Sequence, residues 1–388
     1  MEDGTHGAGL PFWKYHGTGN DFVMLDNRNE QLTNCITSGL ARRLCDRHLG
    51  VGGDGMIVLE RTGSGSSDDG YDFRMRYFNS DGSVGALCGN GARCAVAFAL
   101  ELGVQPGSGG HWRFLDGDQR FLEGLLTGGP ASKGVTQIGV RMPDIDRIQV
   151  VDTSGYFVNT GCPHFVVYVE NEAVLDRMDV STSGSALRHD ARFRAIGGVN
   201  VDFVCTRADD SNAEVIRVRT FERGVEAETL SCGTGAVAVA VVDLYRKFVV
   251  TPKVSADNVI SCDVNSDNGV ADSAESGKYS VIPIGDVVRL CVAPTADVID
   301  TESDATSIGS DVRAAGREVD VECADREGPL SSGSGWFGTY ERYVESRGGR
   351  LRVRVDCQRD KTTDSLVFRN VLLSGPTTKV FFGTFFQG

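Results

Sequence analysis

The chain has 388 residues, 40% of them hydrophobic, with a formal charge of −14. That length supports two domains with their own cores, and the acidic balance argues against a nucleic-acid partner, which wants a basic face. No apolar run approaches the ~20 residues needed to cross a bilayer, so no membrane partner is expected.

The N-terminal stretch MEDGTHGAGLPFWKYHG lacks a basic start followed by an apolar core, so no secretory signal is expected. The eleven cysteines carry no paired CxxC spacing, which fits neither a disulfide scaffold nor a zinc site. A reducing, cytoplasmic setting is the expectation. Cysteines in apolar surroundings, such as Cys205 in VNVDFVCT and Cys291 in VVRLCVAP, read as buried small hydrophobes.

Taken in chain order, GTGNDFVMLDN from Gly17 predicts a glycine-bearing turn feeding an apolar strand. RMRYF from Arg74 alternates as a strand and passes through a polar loop into Cys88-Gly-Asn-Gly-Ala and an apolar helix. A break is expected near MPDIDRIQVVDTSG, around residue 148. The pattern then repeats. TGCPHFVVYVEN from Thr160 is a second turn and strand; RVRTF from Arg217 leads through a loop to Cys232-Gly-Thr-Gly-Ala and another apolar helix. Phe78 precedes Cys88 by ten residues, and Phe221 precedes Cys232 by eleven.

The fold class expected is α/β (α+β): two pseudo-symmetric halves, each a strand-rich sheet wrapped around a central helix, with the active site in the cleft between them. From about 250 to 340 the chain is rich in Asp, Ser, Gly and Glu and reads as a solvated acidic insertion, interrupted by strand-like pieces such as YSVIPIGDVVRLCVAP. GGRLRVRVDCQ and NVLLSGPTTKVFFGTF resume as strands, with a turn expected at Gly-Pro.

A thiol at the start of a helix faces unpaired amide N–H groups and the positive end of the dipole, which favours the thiolate. The flanking glycines let the same amides approach a carboxylate. Two such elements in equivalent places of a repeated fold aim Cys88 and Cys232 at one point. A two-base racemase needs that arrangement: one thiolate takes the α-proton and the opposed thiol returns one to the other face. His164 in GCPHF and Glu222 in TFERG are candidates to deprotonate or orient the thiols; a satisfied core histidine and a surface ion pair are the alternative readings. No clustered ligand spacing suggests a metal, no lysine is identified as a pyridoxal site, and GTGND is no nucleotide loop, so no cofactor is expected.

At these residues the sequence resembles the diaminopimelate epimerase family. The matching runs are HGTGNDFVMLDN, GVGGDG, YFNSDGSVGALCGNGARC, NTGCPHFVVYV, GGVNVDFV, TFERGVEAETLSCGTGA and the late GPTTKVFFGTF. The resemblance implies interconversion of LL- and meso-diaminopimelate, a step of lysine biosynthesis, with Cys88 and Cys232 as paired base and acid and His164 and Glu222 assisting. It implies a carboxylate clamp around Gly89, Asn90, Gly233 and Thr234. It further implies that Asn20, Asn79, Asn200, Glu222 and Arg223 hold the substrate, including its far amino-acid end. Under it the final strand returns to the first half. The halves are then 1–148 with 375–388, and 149–374 carrying the acidic insertion. The partner would be a small amino-acid substrate, with a homodimer as a family expectation.

Two positions depart from the family's usual pattern: Cys162 stands in the GxPH turn where Asn is common, and Gly55 where Gln often follows GxGxD. Another two-cysteine racemase, of the proline-racemase kind, is the alternative; its substrate has no distal end for Arg223 to meet.

Overall fold

A computed structural model of the chain describes residues 9–61, 70–85, 87–107, 109–128, 134–151, 155–208, 214–250 and 336–386. Most of the acidic insertion, with Cys291 and the strand-like YSVIPIGDVVRLCVAP, lies outside the described residues.

The first half contains β1 (Leu10–Gly17), β2 (Asn20–Asn27), α1 (Ser38–Cys45), β3 (Gly55–Glu60), β4 (Phe73–Asn79), α2 (Gly89–Glu101), β5 (His111–Leu115), β6 (Phe121–Leu126) and β7 (Val135–Arg141). The second contains β8 (Ile148–Val151), β9 (Gly155–Asn159), β10 (Pro163–Tyr168), α3 (Glu172–Arg177), α4 (Val180–Arg188), β11 (Asn200–Ala208), β12 (Glu214–Glu222), β13 (Ala227–Thr229), α5 (Gly233–Tyr245), β14 (Trp336–Ser346) and β15 (Gly349–Arg359). The last strand, β16 (Leu366–Phe385), serves both.

The internal repeat is visible in the pairing. β2–β3 and β10–β11 are parallel, β3–β4 and β11–β12 antiparallel, and β4–β5 and β12–β14 parallel again. Strands β1 to β7 and β16 close into a ring of eight, because β16 pairs with both β7 and β1. The second sheet runs β16-β15-β14-β12-β11-β10-β9-β8. A bridge between Ile145 and Phe368 draws its far end back toward β16.

Each sheet wraps around one helix. α2 (GNGARCAVAFALE) and α5 (GTGAVAVAVVDLY) are built from small and β-branched residues and are buried nearly all round, the pattern of a helix enclosed by sheet rather than laid on it. One continuous apolar core joins both helices, from Ala95 and Phe98 through Leu373 to Val239 and Leu244. The parallel pairs are apolar on their outer faces too: α1 covers Val23, Leu25 and Val58 with Leu40 and Leu44, and α3 and α4 cover Phe165, Val201 and Phe203. Two-sided burial explains why these strands read as continuous apolar runs.

The turn expected at Gly-Pro is absent. Gly375 and Pro376 lie inside the unbroken β16, whose residues 366–374 pair with β15 while 375–385 pair with β7 and β1. Glycine is needed there for close packing: a Cβ at Gly375 would sit 2.4 Å from Leu351 Cδ2. The reversal lies earlier, between β15 and β16.

Candidate active site

Both cysteines cap their helices. Cys88 and Cys232 have extended backbone, and their sulfurs accept from the third amide of the helix, Gly91 N at 3.3 Å and Gly235 N at 3.4 Å. The two helix starts abut. A Cβ on Gly233 would lie 3.1 Å from Gly89 Cα and 3.2 Å from Asn90 N, and one on Gly89 would lie 2.8 Å from Leu373 Cδ2. Backbone cannot swing aside as a side chain can, so Gly233→Ala must push the two helix ends apart. The expected result is a loss of about 1–3 kcal/mol from overpacking, read by denaturant titration, together with reduced turnover.

The junction is stitched by polar groups, among which Thr18, Ser231 and Asp54 were not singled out by the sequence. The turn between β1 and β2 carries Thr18 at φ 51 and Gly19 at φ 86. A left-handed threonine is strained and needs fixing by its surroundings. Here its hydroxyl meets the Ser231 hydroxyl of the other half at 2.9 Å. Asn90 Nδ2 donates to Ser231 O at 2.9 Å and to Asn20 Oδ1 at 3.4 Å, and Cys88 Sγ donates to Asn20 Oδ1 at 3.7 Å. Asn20 in turn donates to Asp54 at 2.7 Å.

Around Cys232 a relay runs inward. Its sulfur is 3.3 Å from the Thr234 hydroxyl, which is 2.9 Å from His164 Nε2. His164 Nδ1 is 2.7 Å from Asp202 Oδ2, and Thr220 donates to Asp202 Oδ1 at 2.7 Å. His164 and Asp202 are both fully buried. Asp202 can only accept, so in the neutral ring Nδ1 carries the proton and Nε2 faces Thr234 as acceptor. The Asn200 amide also approaches Nε2, at 3.3 Å, while Asn200 Oδ1 accepts from Arg223 N at 2.8 Å. Arg223 donates to the carbonyls of Ile196 and Gly198. Asn79 is engaged with Ser83 in its own loop.

Electrostatically, burial dominates. It pushes the Cys88 thiol up to about 12 and the Cys232 thiol well above its ordinary value, outweighing the favourable amides. The expectation of thiolates favoured by the helix ends alone is thus corrected: the dipole acts, but desolvation is the larger effect. Glu222, hydrogen-bonded by Thr229, is itself raised to about 7 by burial, and its charge acts on both thiols. Cys162 lies in the field of Arg223 and Glu222, its thiol raised by burial. Tyr77 occupies the space over Gly55, where a Cβ would come 2.5 Å from its ring. Among the described residues no group of His, Cys, Asp and Glu is arranged to hold a metal.

Residues 12–115 and 156–273 match the family model described as diaminopimelate epimerase. Among similar proteins, the diaminopimelate epimerase of Aquifex aeolicus (strain VF5) is 37% identical over 66% of this chain and 91% of its own. That of Chlorobaculum tepidum is 42% identical over 58% of this chain and 79% of its own. An archaeal one, from Methanocella arvoryzae, is 33% identical over 61% and 82%. A solved hydroxyproline epimerase from Agrobacterium vitis shares the fold at a TM-score of 0.50 and 11% identity, covering 97% of this chain and 92% of that one.

Proposed function

Because the chain belongs to the diaminopimelate epimerase family, whose members are isomerases, we propose that it interconverts LL- and meso-diaminopimelate by two-base proton transfer. One thiolate takes the α-proton, breaking the C–H bond. The electron pair passes into the substrate carboxylate, held by the amides of Gly89, Asn90, Gly233 and Thr234. The opposed thiol then gives its proton to the other face, becoming the thiolate for the reverse reaction. The observation that carries this reading is the abutting pair of cysteine-capped helices.

Asn20 and Asn90 stand beside Cys88, while Asn200 orders Arg223 near His164. This supports assigning the far amino-acid end to the Arg223 side, where a guanidinium suits a carboxylate. Asn79 would complete the set that holds the substrate. The halves are read as 1–148 with 375–388, and 149–374. The eight described cysteines are all free, which supports a cytoplasmic setting. Among the described residues no helix is long and apolar enough to cross a membrane. Exposed Val380, Phe381, Phe382 and Phe386 at the end of β16 suit a homodimer.

The direct test is incubation of reduced protein with LL-diaminopimelate in deuterated water. Loss of optical activity with deuterium entering the inverted carbon is expected. Neither exchange nor inversion in a folded sample would overturn the reading, and turnover of proline instead would favour the racemase alternative.

Glu222 sets the expected pH dependence. A carboxyl raised to about 7 is protonated below that value and then cannot receive a thiol proton. kcat/KM is therefore expected to fall about tenfold per unit as pH drops below 7. Glu222→Gln should flatten that acid limb while lowering the plateau, as a pH–rate profile would reveal.

A further inference from the structure

Asp54 ends the connection from α1 to β3, and its exposed carboxylate gathers three donors. Asn20 Nδ2 reaches Oδ2 at 2.7 Å and Asp21 N the same oxygen at 3.1 Å, while Arg47 Nη2 reaches Oδ1 at 2.8 Å. A carboxylate can only accept, so the Asn20 nitrogen must face Asp54 and its carbonyl oxygen must face the other way. On that other side stand the Cys88 thiol, 3.7 Å from Asn20 Oδ1, and Asn90 Nδ2, 3.4 Å from it. Reversing the amide would set it against Asn90 Nδ2, donor to donor, and would take the acceptor away from the Cys88 S–H.

We infer that Asp54 is a positioning residue that locks the Asn20 amide with its carbonyl oxygen turned to the Cys88 thiol and Asn90. The inference rests on the two-thiol reading above and adds to it a device that orients one of the thiols. Asp54 is itself held in place. Its N–H donates to Asp21 O at 2.8 Å, and its carbonyl accepts from Ser80 N at 3.1 Å. Arg47 also forks onto both oxygens of Asp21, at 2.7 and 3.1 Å, and Lys14 from β1 meets Asp21 at 2.7 Å. Exposed ion pairs add little to stability, so what this frame supplies is orientation.

The doubled fold places a like device in the other half. Phe22 pairs with Gly55 and Phe165 with Val201 in the matching parallel ladders, so Asp54 and Asn200 occupy equivalent positions. Asn200 stands 3.3 Å from Nε2 of His164, the ring that meets the Thr234 hydroxyl and through it Cys232. In each half, a residue at the start of the second parallel strand steadies a side chain that reaches that half's cysteine, directly or through one hydroxyl.

The first arm of the test reads the cysteines without substrate, so its failure is separate from failure of the proposed reaction. Asp54→Asn keeps the size of the side chain but can offer Asn20 an amide donor, which lets the Asn20 nitrogen turn toward Cys88. A donor in place of an acceptor beside the sulfur favours its ionised form. Iodoacetamide labelling at fixed pH, resolved by peptide mass spectrometry, should therefore run about three- to tenfold faster at Cys88 and unchanged at Cys232. Adding Asn20→Asp to Asp54→Asn puts an oxygen toward Cys88 again, and labelling there should return to the parental rate or below it. With diaminopimelate, Asp54→Asn should lower kcat about tenfold or more through the misplaced sulfur. The inference is overturned if folded Asp54→Asn labels Cys88 like the parent, or if both cysteines speed up together. It is equally overturned if the added Asn20→Asp fails to slow Cys88, or if an active Asp54→Asn variant keeps the parental kcat. Should Asp54→Asn fail to fold, Asp54→Ala leaves the amide unheld and is expected to speed Cys88 alone; parental labelling in it overturns the inference too.

Discussion

Cys88→Ser and Cys232→Ser should each lose inversion by more than about 10³-fold while the protein stays folded. Serine keeps an oxygen at the N-cap to accept from Gly91 or Gly235, so the helix start is preserved. Its hydroxyl is too weak an acid to trade a proton with an α-carbon. Alanine at either position loses the same activity and the cap besides, and should cost about 0.5–2 kcal/mol in unfolding measurements. The pair of substitutions separates the two jobs of each cysteine. Inversion at the parental rate by either serine variant would sink the two-base assignment.

The second large effect is expected at Asp202. Asp202→Ala removes the shared acceptor of His164 Nδ1 and Thr220, both buried, and should destabilise the fold by about 3–5 kcal/mol. Turnover should drop by a further factor of about 10² in protein that remains folded, because the imidazole loses the partner that sets its tautomer and holds Thr234 against Cys232. Asp202→Asn is the sharper probe. It fills the same volume but can present an amide donor to Nδ1, forcing the other tautomer. A melting temperature close to the parent with strongly reduced kcat is the expected outcome. An Asp202→Asn variant with full activity would show that the relay does not govern Cys232.

Local sequence revealed the parts whose physics is local. Cysteine followed by Gly-x-Gly before an apolar run marks a cap, a close approach and a helix, and the structure has all three at Cys88 and Cys232. Repetition of that run made two matching halves legible, and the strand pairing repeats accordingly. Asp202 lies within GGVNVDFV, where no local motif assigns it a role. An acid inside an apolar strand is nonetheless a signal, since such a group is buried only with partners. Arg93 carried the same kind of signal, a charge amid the small and apolar residues of the buried part of α2. At Gly375-Pro376 the local rule misled. Punctuation residues usually end a strand, but here glycine answers to Leu351 packed against it, a contact made by a distant part of the chain.

The sequence by itself determined where the two thiols stand in the chain, what caps they form and that the fold is doubled, because turns, caps and periodicity are set by neighbours a few residues away. Only the tertiary structure decided which groups face those thiols: Asp202 behind His164, Asn20 against Cys88, Glu222 in the field of both sulfurs. It also decided the sign of the thiol shift. Desolvation and charge pairing depend on what surrounds an atom in space, and the groups around Cys88 come from strands as far apart in the chain as β2 and β12.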